Sequence, residues 1–282
     1  MFAETAPHPT PSQLPIAEFI FGSTPGMQEA RERLEAALQD DLPVLIEGES
    51  GTGKELVARY LHLRSDRAVG PFVRVNCGAI PARLMEPEAL MKGWSGDPQA
   101  DATRGTVFLD GIAEMDFALR QRMIPALKPG KPGEPGRRFD ARIVCASSVV
   151  ADRERVRERA GGRDMSAWAS DFKHRVRLLP LRERKADLPA LCGYLLENCA
   201  RNFGRPIPQL SAAVLEEFER RKWPGNVREL ENWIARIVVF GTEEAVRMEF
   251  KRHMGTGGGL DVMRRHSLRV NLSRERGARR RG

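Results

Sequence analysis

The chain has 282 residues, enough for one large domain or two of ordinary size. Its 41% hydrophobic and 30% charged content supports a packed core and argues against wholesale disorder. Apolar runs such as Ile237–Phe240 fall far short of the ~18 residues that a membrane span needs, and residues 1–15 carry Pro, Thr and Ser where a signal peptide would be apolar. The expected location is therefore the cytoplasm, with no membrane partner.

The net charge of +8 suggests an anionic partner, but its distribution matters more than its sum. Residues 251–282 hold ten Lys and Arg against Asp261 and Glu275, which is the whole excess, so residues 1–250 are neutral. The basic end follows a hinge at Gly255–Gly259 and reads as a solvated tail; its alternative is nonspecific, salt-sensitive contact with nucleic-acid phosphates. The four cysteines, Cys77, Cys145, Cys192 and Cys199, form no C-x-x-C pair and have no His at metal-ligand spacing. They read as small buried side chains in a reducing compartment.

Residues 1–18, with prolines at 7, 9, 11 and 15, are expected to be a flexible lead-in. Gln28–Leu38 has helical spacing. Pro43–Glu47 reads as a buried strand, and Lys54–Leu63 as the helix after a Gly-rich turn. Phe72–Asn76, Thr106–Asp110 and Arg142–Ala146 are further apolar strands with helical stretches between them. That alternation predicts an α/β domain over 19–186, a parallel sheet flanked by helices. Leu188–Asn202, Ala212–Arg221 and Val227–Phe240 read as amphipathic helices of a small all-α domain over 187–245, with the tail at 246–282.

Gly48-Glu49-Ser50-Gly51-Thr52-Gly53-Lys54 lies between a strand and a helix, where G-x-x-x-x-G-K signifies a phosphate-binding loop. Its glycines let successive N–H groups point inward, and the helix N-terminus adds positive potential. Lys54 is placed to reach the β- and γ-phosphates. Position 55 is Glu, where most such loops have the Ser or Thr that ligates Mg²⁺. The strand Thr106–Asp110 supplies the complementary acid, with Asp110 placed to hold Mg²⁺ through water. The next residue is usually the Glu that orients attacking water; here it is Gly111, and Glu114 is the nearest carboxylate. ATP and Mg²⁺ are the cofactors expected.

The wording of five motifs resembles the AAA+ ATPase domain of sigma-54-dependent transcriptional activators (bacterial enhancer-binding proteins). They are Gly48–Glu55, Pro71-Phe72-Val73-Arg74-Val75-Asn76-Cys77, Gly105–Asp110, Leu181-Arg182-Glu183-Arg184 and Trp223-Pro224-Gly225-Asn226-Val227-Arg228-Glu229-Leu230. They stand in the family's order and cover Phe19 to Phe240. The resemblance implies a P-loop AAA+ sheet followed by a helical lid. It further implies a ring of subunits that hydrolyses ATP at its interfaces to remodel the promoter complex of sigma-54 RNA polymerase.

Residue by residue, it implies that Lys54 and Asp110 serve phosphate and Mg²⁺, and that Arg228 is the second sensor. Asn76 matches the residue that restrains the catalytic Glu, and Ser147-Ser148 stand where the first sensor usually reads Thr-Asn. Arg175 fits the second arginine finger, while Ala169 falls where the first should be. Gly93-Trp94-Ser95-Gly96 matches the sigma-54 contact loop in a shortened, eroded form, and residues 128–138 stand where the second remodelling loop is expected but are reduced to a Pro/Gly-rich turn that reads more simply as a surface linker. The departures at Gly111, Ala169, Ser148 and the contact loop predict that ATP is bound and that hydrolysis is slow or needs a partner subunit.

Two other readings stay open: a nucleotide-binding regulator or antagonist that joins a homo- or hetero-oligomeric ring without turnover, and an AAA+ protein acting directly on nucleic acid. No helix-turn-helix is legible beyond Phe240, and the lead is too short for a sensory domain, so signal input is expected from another protein.

Overall fold

The structure, a computed structural model, describes residues 17–79, 105–115, 141–148, 169, 172–244 and 247. The sigma-54 contact loop at 93–96, the turn at 128–138 and the basic tail lie outside them.

Two helices open the described chain, α1 (Ala17–Phe21) and α2 (Pro25–Ala36). The first begins inside the stretch expected to be irregular. Then come β1 (Val44–Glu47), α3 (Lys54–Arg64), β2 (Phe72–Asn76), β3 (Thr106–Asp110), β4 (Arg142–Ser147) and β5 (His174–Arg177). The five strands form one sheet in the order β2-β3-β4-β1-β5, parallel throughout. β5 lies outside the strands expected from the sequence. It pairs only with β1, and its burial alternates instead of running continuously.

The inner strands are apolar at nearly every position because both faces are covered. Val44, Ile46, Phe108, Val144 and Ala146 point toward Met27 and Leu34 of α2 and Val57 and Leu61 of α3. Leu45, Val107, Leu109, Ile143 and Cys145 face the opposite way, against Ile112, Met115 and Phe172. Each buried Leu, Ile or Val contributes roughly 1.5–3 kcal/mol by leaving water. Register brings Glu47 opposite Ser147 and Asn76 opposite Asp110, so the carboxyl ends of four strands meet along one rim. In open parallel sheets that rim is where ligands bind.

The remaining helices, α4 (Leu188–Phe203), α5 (Ala212–Arg220) and α6 (Asn226–Phe240), pack around Leu188, Phe218, Trp223, Leu230 and Ile234. Ser211 caps α5 by accepting from Val214 N, while Gly204 and Gly241 end α4 and α6 in the left-handed region that favours glycine. Trp223 is fully buried, donates from Nε1 to Phe218 O at 2.7 Å and meets the Phe218 ring edge-on. All four cysteines are free and buried, as expected, and burial pushes the Cys192 thiol up to about 12.

The two halves are joined at Asp187. Its buried carboxylate accepts from Ser23 N at 2.7 Å and Thr24 N at 3.1 Å, and from both hydroxyls. Thr24 makes no capping bond of its own, so Asp187 supplies acceptors at the start of α2 from 164 residues away.

Candidate functional site

The loop between β1 and α3 is shaped by two glycines in left-handed conformations, Gly51 at φ +80° and Gly53 at φ +99°. Gly48 N donates to Ser147 O at 3.1 Å, anchoring the loop's entry to β4. Thr52 Oγ1 donates to Glu49 O, and Lys54 Nζ donates to Gly48 O at 2.8 Å and Glu49 O at 2.9 Å. The ammonium is thus folded back into its own loop. Burial pushes Lys54 down to about 8, the charge of Arg228 pushes the same way, and Asp110, Glu114 and Glu49 oppose them. A buried ammonium hydrogen-bonded to two carbonyls at the start of a helix is suited to receive an anion.

The lid closes directly on this loop. Arg228 N donates to Gly51 O at 3.3 Å, and a Cβ on Gly51 would collide with Gly225 O. Asn226, fully buried, reaches three segments at once. Its side-chain amide donates to Glu49 Oε2 at 3.1 Å and Ser50 O at 2.9 Å, and its Oδ1 accepts from Leu181 N at 2.8 Å. Arg182 adds a two-pronged pair to Glu49, at 2.8 and 2.6 Å, which holds that carboxyl below its ordinary range. Asn226 achieves this at φ +53°, a region that Asn tolerates better than most residues. Asn226 and Arg182 stand inside the Trp223–Leu230 and Leu181–Arg184 motifs, yet their shared hold on Glu49 is visible only in three dimensions.

At the end of β3, Asp110 Oδ2 accepts from Arg74 at 2.7 Å. The same guanidinium reaches Glu55 at 3.2 Å, and Glu55 also pairs with Arg59. Arg74 therefore bridges the acid at the end of β3 and the acid that follows Lys54. Asp110 is the carboxylate here that could hold a Mg²⁺ ion, since that hard cation prefers oxygen ligands. Glu55 presents a carboxylate, already shared by two arginines, where a hydroxyl is usual.

Gly111 follows in a left-handed conformation, φ +75°, and opens a turn in which Glu114 N donates to Gly111 O at 2.8 Å. The exposed Glu114 side chain folds back: its carboxyl carbon lies 3.3 Å from the point a Cβ on Gly111 would occupy. Asn76 Oδ1 accepts from Gly78 N at 3.2 Å. Ser147 is buried at the end of β4, and Ser148 is half-buried beside it. Ala169 is buried against the sheet core. Arg175, on the edge strand, pairs with Glu47 at 2.9 Å, the two side chains 43% and 20% exposed. The structure thus gathers Gly48–Glu55, Asn76, Asp110, Ser147, Ser148 and Arg228 at one rim, with Arg175 on the outer strand.

A phosphate loop at the carboxyl ends of a five-stranded parallel sheet, closed by a helical lid, defines an AAA+ nucleotide-binding protein. The chain belongs to the sigma-54 interaction domain family, whose model matches residues 20–161, and residues 182–254 match an AAA+ ATPase lid domain. It is 32% identical over 258 residues to the response regulator protein PilR of Pseudomonas aeruginosa, covering 85% of this chain and 56% of that one. It is 36% identical over 255 residues to the DNA-binding transcriptional regulator NtrC of Azospirillum brasilense, covering 84% and 50%. The chain thus spans about half the length of the curated relatives it matches.

Among solved structures, NtrX from Brucella abortus in complex with ATP aligns with TM-score 0.64 and 25% identity, over 79% of this chain and 53% of that one. The replication initiator DnaA bound to AMPPCP and single-stranded DNA aligns with TM-score 0.51 at 17% identity, over 86% and 70%, a likeness of fold alone. No helix among the described residues is long and apolar enough to cross a membrane.

Proposed function

We propose that the chain is the ATP-binding part of a cytoplasmic transcription regulator that works on sigma-54 RNA polymerase as one subunit of a ring, and that its own hydrolysis is slow. The observation that carries ATP binding is the buried Lys54 ammonium in a loop whose far side is gripped by Asn226 and Arg228 of the lid. Phosphates entering there would replace two carbonyl acceptors by full negative charges, and the lid would register the change through Glu49 and Ser50. Mg²⁺ arriving with ATP would screen phosphate charge beside Asp110. We place the α/β body at 19–186, the lid at 187–245 and the tail at 246–282. Trp94 and Ser95 are assigned to the remnant of the sigma-54 contact loop.

Slow turnover is expected from Ala169, where the first arginine finger is missing, and from Gly111, which leaves no water-orienting carboxylate at the position the family uses. Loss of a general base alone removes about 10²–10⁴-fold. A second reading, a nucleotide-binding regulator or antagonist without turnover, draws on the same two residues. Direct action on nucleic acid is weakened by family membership. Titration with a fluorescent ATP analogue, steady-state ATPase rates and mass in solution with and without ATP separate them. Binding, ATP-dependent assembly and slow hydrolysis are expected; assembly and binding with no turnover select the second reading, and no binding rejects both. Removal of residues 251–282 tests the tail, whose DNA contact, if real, disappears on deletion and weakens steeply with salt.

A further inference from the structure

We infer that Glu114 takes over the water-orienting role left open at Gly111, through a carboxylate that reaches back over two glycines to the end of β3. This rests on the reading of the phosphate loop as an ATP site.

A Glu at position 111 would hold its carboxyl carbon about 2.5 Å from its own Cβ, two single bonds away. The Glu114 carboxyl carbon lies 3.3 Å from that same Cβ position, and its oxygens 3.5 Å. The acid therefore lies beside the point from which a Glu at position 111 would project, supplied from three residues further along. Two features of the backbone make this possible. The turn closed by Glu114 N on Gly111 O reverses the chain, and the φ of +75° at Gly111 permits it. Gly78 then leaves the space open on the other side, since a Cβ there would collide with Glu114 Oε2. Gly78 is also the residue whose N–H donates to Asn76 Oδ1, so the backbone that leaves room for Glu114 is held by Asn76. Glu114 is close enough to the phosphate-binding ammonium to raise the affinity of Lys54 for its proton.

In the reaction, the oxygen of a water molecule bonds to the γ-phosphorus as the bond to the ADP oxygen breaks, that oxygen keeping the electron pair. The proton released from the water passes to the Glu114 carboxylate and then to solvent, leaving ADP and inorganic phosphate.

The geometry also changes what replacing Gly111 does. Gly111→Glu would place a side chain in the left-handed region and crowd the Glu114 carboxylate, so it is not a simple restoration. The informative variants are Glu114→Gln, on an exposed side chain, and Gly78→Ala. The latter folds because only the far end of a flexible side chain must move, and it displaces the carboxylate without changing charge.

The experiment is single-turnover hydrolysis of Mg·ATP by the full chain, beside affinity for a fluorescent ATP analogue. Both variants are expected to keep wild-type affinity and to lose at least about tenfold in rate, within the range of a lost general base. An unchanged rate in Glu114→Gln overturns the assignment, as does a wild-type chain that binds ATP and hydrolyses none. A wild-type chain that binds no nucleotide overturns the underlying site reading instead, and the assignment falls with it.

Discussion

Asn226 ties the lid to the phosphate loop through Glu49, donating to Glu49 Oε2 at 3.1 Å while its own carbonyl oxygen accepts from Leu181 N at 2.8 Å. One buried side chain thus holds the phosphate loop, the strand-to-lid connection and the start of α6 in fixed relation. Asn226→Ala would leave the Leu181 N–H unpaired, at about 1–3 kcal/mol, and place a Cβ-bearing residue of poor left-handed tolerance at φ +53°, at about 1 kcal/mol more. Asn226→Gly would remove only the second cost. Denaturant unfolding should rank wild type above Gly above Ala. If neither variant is destabilised, the contact does not hold the two halves together.

Lys54 predicts proton uptake on nucleotide binding. The free ammonium titrates near 8 because it is buried, against an ordinary 10.5, and bound phosphates would raise it again. At pH 8 binding should take up about half a proton. Calorimetry in two buffers of different ionisation enthalpy should show that uptake at pH 8 and its disappearance near pH 6.5. Uptake at pH 8 without pH dependence would point to another group. The folding consequence has a definite sign. Between pH 8 and 10.5 the unfolded chain holds the Lys54 proton more tightly, so this residue's contribution to stability rises with pH over that window and is flat below it.

Arg74 predicts the Mg²⁺ dependence. Its guanidinium, 42% exposed, occupies an Asp110 oxygen at 2.7 Å that the ion's water shell would need. A partly exposed pair of this kind is worth up to ~1 kcal/mol, so Arg74→Met should lower the Mg²⁺ concentration for half-maximal ATP binding by up to about fivefold. A requirement for more Mg²⁺ in the variant would show that Arg74 helps to hold the phosphates instead.

Arg175 should matter little to one subunit and much to an assembly. Its pair with Glu47 is partly exposed and contributes at most ~1 kcal/mol, so Arg175→Ala should melt within a few degrees of wild type. If it serves a neighbour's nucleotide, the variant alone should lose turnover. Mixing it with Lys54→Ala chains should then restore part of the activity, because each supplies what the other lacks. A mixture as inactive as its parts would remove Arg175 from the finger role.

Much of the sheet was legible because β1, β3 and β4 are inner strands with almost every position buried, and β2 still keeps Phe72, Val73 and Val75 in a short apolar run. His174-Arg175-Val176-Arg177 is an edge strand with one apolar residue, and its main support is pairing with β1, which local pattern does not reveal. The phosphate loop was legible because its glycines and lysine must stand at fixed spacing to expose backbone N–H groups. The hold of Arg182 and Asn226 on Glu49 was not, since it joins residues more than a hundred positions apart and depends on a positive φ at Asn226. Glu114 could be named from sequence as the nearest acid. Whether it could reach was decided by the turn at Gly111 and the missing Cβ of Gly78.

The position of β1 also bears on how the chain is made. β1 carries the phosphate loop yet lies between β4 and β5, so both its neighbours leave the ribosome roughly 100 and 130 residues after it. The Asp187 carboxylate that secures the start of α2 comes later still. The loop gains its Ser147 anchor first and its lid only later, so a nucleotide has no finished site until the lid has been made. A nucleotide bound at this loop would stabilise the whole fold only once synthesis has passed Asn226.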